Sequence, residues 1–501
     1  MTSRKSRAMK LSHKDVHNQA FITGSETMLD RRAFFIDGTW VAPSEARDFE
    51  VLNPATEQPV AMISLASDAD VDRAVRSARD AFELWSETSV AERAALLRRT
   101  LEIYRRRRDE IAEAITLEMG APHDFSRDSQ APCGNALLTA AIEALEAHQF
   151  ERPSLRGGST LRDEAAGVAG LITPWNWPVN QVMAKVASAL AAGCTMVLKP
   201  SEYAPLSAGI VAEVLAEAGC PPGVFNMVHG DGPVTGAALS AHPEIDLLSF
   251  TGSTRAGQLV MTAAADGIRR VALELGGKSP NILFADADLP AAVKFSVENC
   301  FSNSGQSCDA PTRLLVEKSV YDEAVTMAGR FAAEIKVGDP QQPGAHIGPL
   351  VNALQFERVQ GHIRKGIEEG ARIVTGGLGK PDGFETGFFV RPTLFADVSN
   401  DMHIAQNEIF GPVLVMIPFD GEDEAVRIGN DTPYGLAAYI QTGDPEKAQR
   451  VARRLRAGNV YINGNYADTD VPFGGFKQSG IGRENGPLGL EDFLETKAIT
   501  G

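Results

Sequence analysis

Between residues 167 and 277 five short apolar runs, GVAGLIT, CTMVLKP, FNMVHG, DLLSFTG and RVALELGG, alternate with Ala-rich helical segments near 179–192, 205–218 and 233–241. This alternation constrains the fold more than any other feature. A continuous apolar run is the pattern of a strand buried on both faces, and a parallel pair needs a long crossover, usually a helix. The chain is therefore expected to be an α/β protein with a parallel sheet. In such sheets ligands lie beyond the carboxyl ends of the strands, so the residues that close each run are the first candidates for function.

A second alternating α/β region runs from about Lys278 to Gly480, and a short helical tail closes the chain. Before residue 167 the segments FFIDGTWVAPS and FEVLNPATEQPVAMI read as turns and short strands. Two amphipathic helices are expected from about Ala69 to Met119, with Arg105 to Arg108 on the solvated face of one of them. The first dozen residues, MTSRKSRAMKLS, are basic and free of acids but precede no apolar signal core, so a frayed tail or an upstream start with Met28 as the working one is expected.

A chain of 501 residues is too long for one core, so two or three domains are expected. A formal charge of −17 argues against a nucleic-acid partner or an anionic membrane surface. No uninterrupted apolar stretch is long enough to span a bilayer, so a soluble, cytoplasmic protein is expected. Five cysteines, at positions 133, 194, 220, 300 and 308, form no CxxC pair, and the nine histidines are scattered, with no HxH pair and only His13 and His17, in the N-terminal segment, at HxxxH spacing. Neither a disulfide framework nor a metal site is expected.

Three segments carry groups that thiol chemistry on a carbonyl requires. In FSNSGQSCDAPTR, Cys308 stands among small polar residues, which suits an accessible turn, although a buried structural thiol is the ordinary alternative. PWNWP places the Asn176 amide at a strand end, where it is either a donor into a cleft or a turn cap. ELGGK places Glu274 at another strand end, either as a base with a raised pKa or as a salt-bridge partner of Lys278. No histidine lies in these segments, so a Cys-His pair has no local support.

PWNWP, LKPSE, FTGST, ELGGK, FSNSGQSCDAP, NEIFGP and PFGGFKQSG stand in the order found in the aldehyde dehydrogenase superfamily, which the chain resembles from roughly residue 33 to its end. The resemblance implies a Rossmann-type NAD-binding domain (32–146 and 166–276) and an α/β catalytic domain (277–480). It also implies a small oligomerisation element (147–165 and 481–501) that builds a homodimer or homotetramer, after a tail over 1–31. It further implies oxidation of a small-molecule aldehyde to the acid. Cys308 would form a thiohemiacetal held by Asn176, whose oxidation leaves a thioester for Glu274 to hydrolyse, with Lys185 near this network. Glu274 disfavours acyl transfer to coenzyme A, and the presence of all three groups disfavours a catalytically idle structural relative.

The cofactor expected from the resemblance is NAD, held without a GxGxxG turn. Ile172, Thr173, Pro174 and Trp175 would border it. Lys199, Ser201 and Glu202 would meet the adenine ribose, where a carboxylate repels a 2′-phosphate and so favours NAD over NADP. Gly232, Gly236, Thr251, Gly252 and Ser253 would follow the dinucleotide to the helix start in FTGST. Leu275, Gly276, Glu408 and Phe410 would hold its nicotinamide end. A pocket of Trp177, Gln181, Ala184, Ser307, Asp309, Tyr466 and Phe473 would take the aldehyde, expected to be neutral or cationic because Asp468 and Asp470 share the loop of Tyr466.

Overall fold

The five apolar runs form the strands Val168–Ile172, Thr195–Lys199, Phe225–Met227, Leu247–Thr251 and Arg270–Glu274 of a parallel sheet in the computed structural model, which describes residues 20–23 and 26–501. All residues of the first four are buried, as expected for strands covered on both faces. Burying each Val, Leu or Phe contributes about 1.5–3 kcal/mol. Helices Pro178–Ala192, Leu206–Glu217 and Thr254–Ala265 provide crossovers, the last capped by the Ser253 side chain.

The order across this sheet, with 270–274, 247–251, 168–172, 195–199 and 225–227 as successive neighbours, reverses beside 168–172. That reversal is a topological switch point, where a crevice opens beyond the strand ends. Ile172 is level with Phe250, and Thr251 with Glu274, so the ends of three strands reach one edge of the crevice together. Strand Gly480–Ile481 adds antiparallel to 270–274, carrying a segment expected at the end of the catalytic domain back to this sheet.

A second sheet orders 372–375, 393–396, 413–419, 313–317, 280–283, 437–441 and 459–462, parallel except at the 372–375 edge. A three-stranded sheet joins Leu494–Thr500 to Ser159–Ala165 and then to Glu151–Pro153.

Three expectations are corrected. Residues 20–23 and 26–30 pair as antiparallel strands, and the second pairs with Pro59–Ser64, where a tail through residue 31 was expected. The rest of that tail, including residues 1–19, lies outside the described residues. Three helices, Asp68–Ser86, Val90–Arg106 and Arg108–Met119, replace the expected two. The four-arginine run therefore lies at a helix junction, where Arg106 pairs with Glu217 and Arg107 with Glu110 and Glu213. Among the described residues no helix is long and apolar enough to cross a membrane.

Candidate active site

Cys308 follows a turn that only a particular sequence can make. Asn303, Ser304 and Gly305 have successive φ values of 53°, 58° and 70°. Left-handed backbone is costly for the first two, and side-chain hydrogen bonds hold it. The Asn303 amide donates to the carbonyls of Asn176 (3.0 Å) and Gln306 (3.2 Å), while the Ser304 hydroxyl donates to Gly348 O at 2.8 Å. Gln306 closes the turn, donating to Asn303 O and accepting from Val351 N–H. At Gly305 a Cβ would collide with the Gly411 carbonyl.

The same network positions Asn176, buried after the 168–172 strand. Its Nδ2 donates to Gln306 O at 3.0 Å, which leaves one of its two amide hydrogens for another acceptor. Gln130, on an element that sequence reading assigned no role, donates to Asn176 O at 3.3 Å and Asn303 Oδ1 at 3.0 Å.

Glu274 ends its strand buried, and its Oε2 has no hydrogen-bond partner. It forms no ion pair with Lys278. Burial first, then the neighbouring Glu484 charge, push its pKa well above the usual carboxylate range, while Lys185 opposes the shift. Lys185 is fully buried, ion-paired with Glu484, and donates to Thr251 Oγ1 at 2.7 Å. Gly474 leaves room for the base, since a Cβ there would lie 2.5 Å from Glu274 Oε1.

The Cys308 thiol is also pushed well above its ordinary pKa, by burial first and then by Asp309, Glu408 and Glu274. Three acids around a thiol disfavour the thiolate. The site therefore requires a base, or a bound cation, to generate the nucleophile.

Cys308, Glu274 and Asn176 open together onto a cleft of about 270 Å³. Pro174, Trp175, Thr251, Gly252, Ser253, Leu275, Gly276, Glu408 and Phe410, nine of the residues expected to border the cofactor, line it. Glu408 accepts from Gly277 N–H at 3.0 Å, and burial raises its pKa to about 7. Phe410 has a left-handed φ of 59°, held by Gln355, which donates to its carbonyl at 2.8 Å, and by edge contact with Trp175.

Gln355, Arg358 and His362 also line the cleft, and sequence reading missed them. They lie on helix Ala353–Glu368 at spacings of three and four, a polar stripe that was the available signal. His362 is bonded to His403 at 3.0 Å, and burial lowers its pKa to about 4. It makes no hydrogen bond to Cys308.

Ile172 and Thr173 are buried at the strand end behind this lining, and Thr173 Oγ1 has no partner. Lys199 donates to Gly230 O at 2.6 Å and lies 3.8 Å from Glu202, with Gly236 packed against its side chain. Ser201 accepts from Tyr203 N–H, and Gly232 has open space where a Cβ would stand.

The predicted substrate residues lie outside the cleft lining. Trp177 Nε1 donates to Ser307 Oγ at 2.9 Å, one residue from the thiol. Gln181 and Ala184 are buried on the following helix, and the Gln181 Oε1 is unpartnered. Phe473 pairs through its backbone with Glu484, and Tyr466 is 60% exposed. Asp309 stands beside Tyr439, whose hydroxyl donates to its carbonyl at 3.1 Å. Asp468 and Asp470 are exposed. Among the described residues no cluster of three His, Cys, Asp or Glu side chains is arranged around a metal position.

A half-buried thiol, a carboxamide donor and a raised carboxyl at the switch point of an α/β sheet define a site for covalent thiol chemistry on a carbonyl. The aldehyde dehydrogenase family model matches residues 40–499. The chain is 54% identical over 475 residues to 3-succinoylsemialdehyde-pyridine dehydrogenase of a Pseudomonas species, covering 95% of this chain and 99% of that protein. A Bartonella henselae aldehyde dehydrogenase structure superposes with a TM-score of 0.93 at 49% identity, over 94% of this chain and all of that one. Aldehyde dehydrogenase C of Pseudomonas syringae, solved as a mutant with NAD+ and octanal, gives 0.92 at 50% identity, over 94% and 96% of the two chains. The chain belongs to the aldehyde dehydrogenase family.

Proposed function

We infer that the protein oxidises an aldehyde to the carboxylic acid with NAD as oxidant and Cys308 as nucleophile. The observation that carries this reading is the convergence of the Cys308 thiol, the Asn176 amide and the unpartnered Glu274 carboxyl on one cleft.

The residues present fit a dinucleotide. The buried Thr173 hydroxyl lacks a partner at the switch point, and the helix that begins after Ser253 points its free N–H groups at the same crevice. Glu202, held near Lys199, offers a carboxylate suited to a ribose 2′-hydroxyl and hostile to a 2′-phosphate. Lys199 and Glu202 would hold the adenosine side, Ser253 the pyrophosphate, and Glu408 and Phe410 the nicotinamide ribose and ring. When bound, NAD accepts the hydride removed from the substrate carbon.

The chain's own residues do the rest. After the Cys308 thiol gives up its proton to water in the cleft, the thiolate sulfur bonds to the aldehyde carbon as the C=O π pair moves to oxygen, which takes the negative charge. Donors from the Asn176 side chain and the Cys308 backbone N–H stabilise that oxyanion. Oxidation at carbon leaves an acyl thioester on Cys308. Glu274 takes a proton from water, the hydroxide adds to the thioester, and the acid leaves as the thiol reforms. Glu274 favours water over coenzyme A as acyl acceptor, and stimulation of NADH formation by coenzyme A would reverse that choice. Lys185 positions this network through Glu484.

The substrate is proposed to be a neutral or cationic aldehyde of medium length, in keeping with a relative named for a pyridine semialdehyde and another solved with octanal. The three-stranded sheet is proposed as the assembly element of a homodimer or homotetramer. Its edge strand Leu494–Thr500 exposes most of its side chains, and Leu155, in the turn between the other two strands, is fully exposed. A cytoplasmic setting agrees with five free cysteines. Steady-state kcat/KM over aliphatic, aromatic, ω-amino and ω-carboxy aldehydes with NAD and NADP tests the reading. Turnover only with NADP, or preference for the carboxylates, would overturn the cofactor or substrate assignment respectively.

A further inference from the structure

Asp309, the residue after the nucleophile, is a half-buried acid without a counter-ion. Among the described residues no side chain or backbone N–H of another residue donates to its carboxylate, and no Lys, Arg or His pairs with it. Burial pushes its pKa above the usual carboxylate range. An unpaired acid partly withdrawn from water is destabilised, so a group that shares a proton with it would find a partner already in place.

A row of aromatic rings begins beside this residue, where the Tyr439 hydroxyl donates to its backbone carbonyl at 3.1 Å. Tyr439 and Tyr461 pack at a tilt of 38° with ring centroids 5.0 Å apart, Tyr461 and Tyr466 at a tilt of 48° with centroids 5.9 Å apart, and Phe295 lies 6.5 Å from Tyr439 and 6.3 Å from Tyr466. Exposure rises along the row, from 1% at Tyr439 through 8% at Tyr461 to 60% at Tyr466, so the rings form a wall from the neighbour of the thiol to the surface. After burial, Asp309 is the largest influence on all three hydroxyls, and Tyr466 is pushed up to about 12. Ring faces attract cations and stack on flat heterocycles, and the exposed Asp468 and Asp470 on the Tyr466 loop add field of the same sign.

We propose that Asp309, walled by Tyr439, Tyr461 and Tyr466, is the subsite for the tail of aldehydes that carry a basic nitrogen, an amino or azaaromatic group. The nitrogen and the carboxyl share one proton. An ammonium donates to the carboxylate, or the protonated acid donates to a ring nitrogen. No bond to carbon changes in this contact, which orients the substrate while Cys308 reacts. The inference rests on Cys308 as the nucleophile and specifies its substrate class.

The test compares kcat/KM of the full-length enzyme, at saturating NAD, for 3-(3-pyridyl)propanal and 3-phenylpropanal, which differ by one ring atom. The wild type is expected to favour the pyridyl aldehyde by roughly 10- to 100-fold, the range of a hydrogen bond to a charged group. Asp309→Asn should bring the ratio near one, and Asp309→Glu should restore part of it. Any general effect of the variants on the thiol acts on both aldehydes and cancels in the ratio. Equal turnover of the two aldehydes by the wild type, or a preference that survives in Asp309→Asn, would overturn the subsite while leaving the oxidation reading intact. Failure to oxidise either aldehyde would overturn both.

Discussion

Lys185 and Glu484, 299 positions apart, form a buried ion pair that supports the base from behind. Glu484 raises the Glu274 pKa more than Lys185 lowers it, so the pair adds to the shift that burial begins while the cation limits it. Lys185→Met leaves Glu484 buried without its partner. A loss of about 3–5 kcal/mol is expected, read by urea denaturation. Without the opposing cation the Glu274 pKa rises further, so the acidic limb of the pH–rate profile moves to higher pH. An unmoved limb would disconnect the pair from the base.

Glu274→Gln removes the proton acceptor for water but leaves the nucleophile. Rapid mixing should show one equivalent of NADH per site, followed by steady-state turnover reduced by roughly 10²- to 10⁴-fold. Undiminished steady-state turnover would place the base elsewhere.

Asn176→Ala tests the oxyanion donor. A fall in kcat of about 10²–10³ is expected, while alkylation of Cys308 by iodoacetamide, which develops no oxyanion, changes little. An equal fall in both would make Asn176 a support for the 303–308 turn, through its bonds to Asn303 and Gln306.

The raised Cys308 pKa has a pH signature. Because burial and then Asp309, Glu408 and Glu274 disfavour the thiolate, the apoenzyme should react with iodoacetamide more slowly at pH 7 than free cysteine. The rate should climb about tenfold per pH unit below the raised pKa. Asp309→Asn removes one of the opposing charges and should accelerate the reaction at pH 7. An alkylation rate flat from pH 6 to 9 would contradict the account.

The strand-end residues were legible because sheet pattern and position coincide. Asn176, Thr251 and Glu274 each stand where an apolar run stops, and a parallel sheet brings such ends to one edge. Glu484, Tyr439 and Tyr461 were not legible, since only long-range packing brings them near residues 274 and 309. The helix junction at Arg107 escaped because no Gly or Pro marks it. The chain turns there on a single residue whose N–H still bonds to Ile103 and Tyr104. The short segments AFIT and ETMLD offer no clean alternation of apolar and polar residues; ETMLD is placed by its partner strand Pro59–Ser64, and AFIT by ETMLD.

The central claim is that the sulfur of residue 308 carries the acyl group between oxidation and hydrolysis. Intact-protein and peptide mass spectrometry of Glu274→Gln, quenched in acid after mixing with NAD and 3-phenylpropanal, reads this directly. The account predicts one acyl adduct per chain on the peptide that contains Cys308. An adduct on another residue, or none while NADH is released, would contradict it.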